Sequence, residues 1–186
     1  MPPAPVTSPD VLPTLGQAVK VRFDGADTVV WWGPGPDGRE VVAAHEGQLL
    51  TWPSVERAVA HASDAGWPVD WDAGISEEEN TLIDFEPAQR RLENDRAPVR
   101  PQSALDLWNF TTDVAHTLKV PFNDGGSMAD TCHDKLTKAT VPAAFGLTEY
   151  ALRWTPEELK VVRRIMADCV HVVRTAFAGA LTLQDA

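Results

Sequence analysis

Basic residues are scarce in this chain of 186 residues: 16 Lys and Arg stand against 27 Asp and Glu, for a formal charge of −11 and a pI near 4.8. That shortage argues against nucleic acid or an anionic membrane as the main partner and favours a basic one. Long apolar runs are missing too. No stretch approaches the roughly 20 residues needed to cross a bilayer, and the N-terminus lacks the basic-then-apolar layout of a secretion signal, so a cytoplasmic protein is expected. Cysteine is limited to Cys132 and Cys169, both among apolar residues at helical spacing. There a thiol acts as a small buried hydrophobe, and no disulfide is expected. Paired CxxC, HExxH and GxSxG patterns are absent, so no metal, cofactor or catalytic residue is assigned from sequence.

What is present reads as an α+β protein: a small antiparallel sheet with one helix, followed by a helical half built around a long C-terminal helix. Prolines at 2, 3, 5, 9 and 13 mark residues 1–17 as an irregular N-terminal arm. From Ala18, VKVRF, DGAD and TVVWW give strand, turn and strand. GPGPDGR is a second turn, and EVVAAHE and GQLLTW supply two more short strands. Adjacent Trp31 and Trp32 must point to opposite faces, one of them outward or toward the second half. Pro53 to Ala65 switches to helical spacing, with a start signal at Thr51 or Ser54 and Gly66 as the stop. Residues 18–66 thus form the β-rich part, 67–102 an acidic connection with a short helix from Pro87, and 103–186 the helical part, all within one compact domain.

In the helical part, Ser103 is expected to cap a helix running to about Leu118, with Trp108 as its core anchor. Ser127 with Asp130 resembles a capping box for a second helix ending before Pro142, and residues 143–154 read as a loop. The strongest local signal is TPEE at 155–158, with Thr155 as N-cap, Pro156 at the first helical position and Glu158 closing the box. Leu159, Val162, Met166, Cys169, Val173 and Ala176 then follow at spacings of 3 and 4, a central helix ending at Gly179.

The stretch from Trp67 to Glu86 carries seven carboxylates and no Lys or Arg, interleaved with Trp67, Trp71, Ile75, Leu82, Ile83 and Phe85. Acid and aromatic side chains in one place suggest a surface for a basic protein. Trp67, Asp70, Trp71, Asp72, Glu77, Glu78, Glu79 and Asp84 are the candidate partner-binding residues, with Trp67 and Trp71 as anchors that bury in the partner; the alternative reading is an acidic loop whose Trp and Phe residues tuck under into the core. Elsewhere, Asp113 and His116 are spaced to share one helix face. NDGG at 123–126 precedes a helix as an anion-binding loop would, although capping alone explains those residues more cheaply.

SALDLWNFTTDVAHTL, HDKL and RWTPEELKVVRRIM lie in a layout over residues 81–178 that resembles small acidic bacterial immunity proteins, the partners of secreted toxins. The resemblance implies a non-enzymatic inhibitor of a basic toxin, such as a nuclease or nucleotide-modifying enzyme, acting by occlusion of its active site. The alternative expectation is a small-ligand protein or enzyme with a pocket between sheet and helices, lined by Trp108, His116, His133 and Tyr150.

Overall fold

The structure is a computed structural model that describes residues 9–73, 75–94 and 97–183. The architecture is α+β: a seven-stranded sheet with one helix on one face and four on the other. Strands β1 (Gln17–Phe23) and β2 (Ala26–Pro34) make the expected hairpin. Its turn places Asp24 at φ 50° and Gly25 at φ 76°, the two left-handed residues that match the twist of paired strands. Strands β3 (Glu40–Val42), β4 (Ala44–His45) and β5 (Gln48–Trp52) follow, with β3 and β5 sharing the second edge of β2. Helix α1 (Val55–Asp64) is capped by the Ser54 side chain and followed by Gly66 at φ 68°.

Alternation along the strands sorts the core into two layers. Ala18, Val29, Trp31, Leu50 and Trp52 point toward α1, while Val19, Val21, Phe23, Val30 and Leu49 point toward the other helices. Trp31 is fully buried on the α1 side, and Trp32 turns toward the second half as its position requires.

The sheet is mixed, where an antiparallel one was expected. Strand β6 (Ile83–Asp84) runs parallel to β1, and β7 (Leu181–Thr182) runs parallel to β5. Two residues are too few to show a period, so neither strand was visible as one. Where it is described, the arm is irregular and docked at isolated points: Val11 bridges Ala44 and the Thr14 amide donates to Pro34 O at 2.7 Å. The first eight residues of that arm lie outside the described residues.

The free edge of β1 is closed by a strand assembled from pieces. The Gly16 amide donates to Pro68 O at 3.0 Å, and Gly16 O accepts from the Asp70 amide at 2.8 Å. Next, Asn80 Nδ2 donates to Ala18 O at 2.8 Å while its Oδ1 accepts from the Lys20 amide at 3.1 Å. A parallel strand would bond those same two groups through the backbone of the residue facing Val19, so one carboxamide replaces a peptide unit. Then β6 takes over. The acidic stretch is therefore pinned to the sheet near Asp70 and again from Asn80 onward, and between them Glu77 reaches back to Lys20 of β1.

Helices α2 (Glu86–Glu93), α3 (Pro101–Leu118), α4 (Ser127–Thr140) and α5 (Pro156–Ala178) form the opposite layer. Pro101 opens α3, and Ser103 is not its cap; the Ser103 hydroxyl donates to Asp84 O at 2.8 Å and accepts from the Ala88 amide at 3.2 Å. Helix α4 starts after Gly126 at φ 109° without a side-chain cap, so the Ser127–Asp130 box does not form. In α5 the Thr155–Glu158 box is complete, and Glu158 also pairs with Lys135 of α4 at 2.6 Å. Val162, Ile165, Met166, Cys169 and Val173 of α5 are buried against α3 and α4, the Val, Ile and Met side chains each contributing about 1.5–3 kcal/mol if fully removed from water.

Candidate functional site

Where the β2–β3 end of the sheet meets α3 and α4, the packing leaves an open cleft of about 500 Å³. Its walls carry five carboxylates: Glu40 from β3, Asp106 and Asp113 from α3, Asp124 from the α3–α4 connection and Asp130 from α4. Among the described residues, no Lys or Arg lines it.

Two indoles fix the walls. Trp32 packs edge-on against Phe110 at 5.2 Å and donates its Nε1–H to Asp113 Oδ2 at 3.1 Å, linking sheet to helix. Trp108, the expected anchor of α3, is buried and donates to Asp124 Oδ2 at 3.4 Å. His133 stands edge-on to Trp108 at 5.2 Å, and its Nε2–H donates to Asn109 Oδ1 at 2.9 Å. Burial lowers the His133 pKa, against opposing pulls from Asp124, Asp134 and Asp130, and keeps the ring neutral at pH 7.

Burial has the opposite effect on the acids. It pushes the Asp113 carboxyl up to about 7; the Trp32 hydrogen bond lowers it, and the Glu40 charge raises it further. Desolvation also raises Asp106, against the hydrogen bond it accepts from Gln102 Nε2 at 2.7 Å. Crowding carboxylates onto a partly dry wall without a countercharge costs free energy, and a bound cation would recover it.

The sequence-derived site is divided by the structure. Trp67 is corrected from an anchor to a core residue: it is 8% exposed, in a cluster with Trp31, Trp52 and His61 at centroid distances of 5.0–6.0 Å. Glu77 is turned inward, pairing with Lys20 at 2.7 Å and accepting from the Val55 amide at the start of α1 at 3.0 Å. Asp84 lies in β6 and accepts from the Glu86 amide at 2.9 Å. Asp70 caps its own turn by accepting from the Asp72 amide at 3.1 Å. Trp71, Asp72, Glu78 and Glu79 face solvent, Trp71 at 61% exposure.

Of the pocket residues expected between sheet and helices, Trp108 and His133 line the cleft. His116 does not; it lies 3.7 Å from Asp37, so Asp113 and His116 have separate partners. Tyr150 lies outside the cleft lining as well. Both thiols are buried, and desolvation raises Cys169 to about 12. Among the described residues no three His, Cys, Asp or Glu side chains are placed to hold one metal ion. No described helix is long and apolar enough to cross a membrane.

Sequence reading missed Glu40, Asp106, Asp113, Asp124 and Asp130 as a set because they come from four separate segments. One signal was available: Gln102, Asp106, Asn109 and Asp113 repeat at 4, 3, 4, a polar stripe along the otherwise buried α3.

Fold and site together define an α+β protein with an acidic, indole-walled cleft. No family model matches the chain, and no curated protein matches it in sequence. Among solved structures, the crystal structure of the SatS C-terminal domain in complex with bromine is similar over 91% of this chain and 94% of that one, at 11% identity and a TM-score of 0.43.

Proposed function

We propose that this chain is a non-enzymatic binding protein for basic polypeptides, receiving a lysine or arginine side chain in the cleft. The observation that carries this reading is a cavity of about 500 Å³ with five carboxylates, two indoles and, among the described residues, no Lys or Arg on its walls. A cation there gains Coulomb attraction in a partly desolvated setting, and the indoles add cation–π contacts worth about 0.5–2 kcal/mol. The net charge of −11 steers a basic partner toward the protein before contact. A basic toxin held off its substrate is one such partner, in line with the immunity-type layout of the sequence. In that case exposed Trp71, Asp72, Glu78 and Glu79 supply a second contact. A second reading, a cleft acting on a small cationic molecule, draws on Asp113 ionising near neutrality in a cleft that a neutral His133 also lines.

The test is titration with a peptide carrying one arginine between glycines, at about 50 and 500 mM salt. Affinity should fall steeply with salt. Substituting Glu40→Gln and Asp130→Asn together, side chains with no ion-pair partner among the described residues, should weaken binding about tenfold with unchanged folding. Binding indifferent to both changes overturns the reading, and chemical turnover of a small cation would favour the second one.

A further inference from the structure

A second cavity of about 440 Å³ opens between β1, the end of the acidic stretch and the start of α3, and Asp106 lines it as well as the cleft. The two hollows therefore meet at that side chain. The sheet places them side by side too, because Gln17 of the second cavity is the ladder partner of Trp32 in the cleft. The α3 stripe forms the common wall: Gln102 lines the second cavity, Asp106 both, and Asn109 and Asp113 the cleft. From Gln102 to Asp113 the helix rises about 16 Å at about 1.5 Å per residue. That length matches about five residues of extended chain at about 3.3 Å each.

We infer that cleft and second cavity form one groove that holds an extended peptide segment with basic residues at alternate positions, one seated at Asp113 and Glu40 and the next at Asp106 and Glu79. This rests on the binding function proposed above and names its ligand. Asp106 and Asp113 are seven residues apart on α3, about 10.5 Å along the helix; side chains two residues apart leave an extended backbone in the same direction about 6.6 Å apart, and two long arginine side chains span the remaining distance by splaying. The second cavity offers the carboxylates of Asp106 and Glu79 among uncharged Gln17, Asn80 and Gln102, with no Lys or Arg in the lining among the described residues. A compact cation fills one hollow and leaves the other to water. A peptide occupies both, and its second basic group binds at the effective concentration set by two residues of backbone.

The experiment compares three probes by calorimetric titration of the whole chain: acetyl-Gly-Arg-Gly-Gly-Gly-amide, acetyl-Gly-Arg-Gly-Arg-Gly-amide and a linear triamine. The peptide with two arginines should bind at least tenfold more tightly than the other two. Gln17→Lys places a cation at an exposed β1 position beside the second cavity, and Glu79→Gln removes an exposed charge that is hydrogen-bonded to Ser76. Each should reduce the two-arginine peptide to the affinity of the single-arginine peptide and leave the latter unchanged. Equal affinities for the two peptides overturn the groove while leaving the cleft's function intact. A triamine that binds as tightly as the two-arginine peptide overturns the peptide assignment. Failure of every probe to bind refutes the cleft itself, and the groove with it.

Discussion

Replacing Asp113 by asparagine should stabilise the protein above neutral pH and impair its hold on a cation. In the unfolded chain this carboxyl ionises near its ordinary 3.8, whereas in the folded cleft it keeps its proton up to about 7. Between those values the folded state binds more protons, so stability contributed at this position falls as pH rises and is lowest above 7; below about 4 both states are protonated and the penalty vanishes. At about 1.4 kcal/mol per pH unit the ceiling is about 4 kcal/mol, and water at the cleft mouth reduces this to about 2–3 kcal/mol. Asparagine preserves an oxygen for the Trp32 Nε1–H bond now made at 3.1 Å and never ionises. Urea unfolding of both proteins at pH 4, 6 and 8 measures the difference. The variant should match the parent at pH 4 and exceed it by about 2 kcal/mol or more at pH 8. Its affinity for a single-arginine peptide should fall and lose pH dependence, whereas the parent should bind more weakly as pH drops through 7. A stability difference that stays constant across pH would refute the argument, because it would place the carboxyl in water.

Two further outcomes concern the scaffold. Asn80→Leu leaves Ala18 O and the Lys20 amide without their present side-chain partners on the edge of β1. It should cost about 2 kcal/mol in urea unfolding and introduce concentration-dependent self-association in sedimentation; a monomeric variant of unchanged stability would show that the edge needs no such closure. His61 is buried against Trp52 and Trp67, and desolvation holds its pKa below the ordinary 6.5. The unfolded chain therefore takes up this proton first, so stability present above pH 6.5 is lost as pH falls below it. His61→Phe should flatten that acid limb, which a pH series of thermal melts reads directly.

Local chemistry made much of the fold legible. Thr155, Pro156 and Glu158 announce α5 because a capping box is written within four residues, and Asp24–Gly25 announces the first hairpin because both residues tolerate positive φ. Long-range pairing carried no comparable mark. Ile83–Asp84 and Leu181–Thr182 become strands only by meeting Val21–Arg22 and Leu50–Thr51 from distant parts of the chain. The same limit governs the site. Composition drew attention to residues 67–86, yet Trp67 went to the core and Glu77 to Lys20 and the start of α1, because a sheet edge and a helix N-terminus nearby had backbone groups to satisfy. The cleft's five acids are dispersed in sequence from Glu40 to Asp130, and only tertiary packing gathers them.

The strand built from pieces along β1 separates two duties that usually share the same residues. Pro68, Asp70 and Asn80 hold the edge: the chain leaves it opposite Gly16, just before β1, and is back at Ala18 and Lys20 when it reaches Asn80. Closing such a loop becomes only about 0.6 kcal/mol more costly with each doubling of its length. Its outward part, around Trp71 and Asp72, is therefore where relatives can gain, lose or exchange residues without disturbing the sheet. Lineages that meet different partners should diverge there first, while Asn80 stays in place.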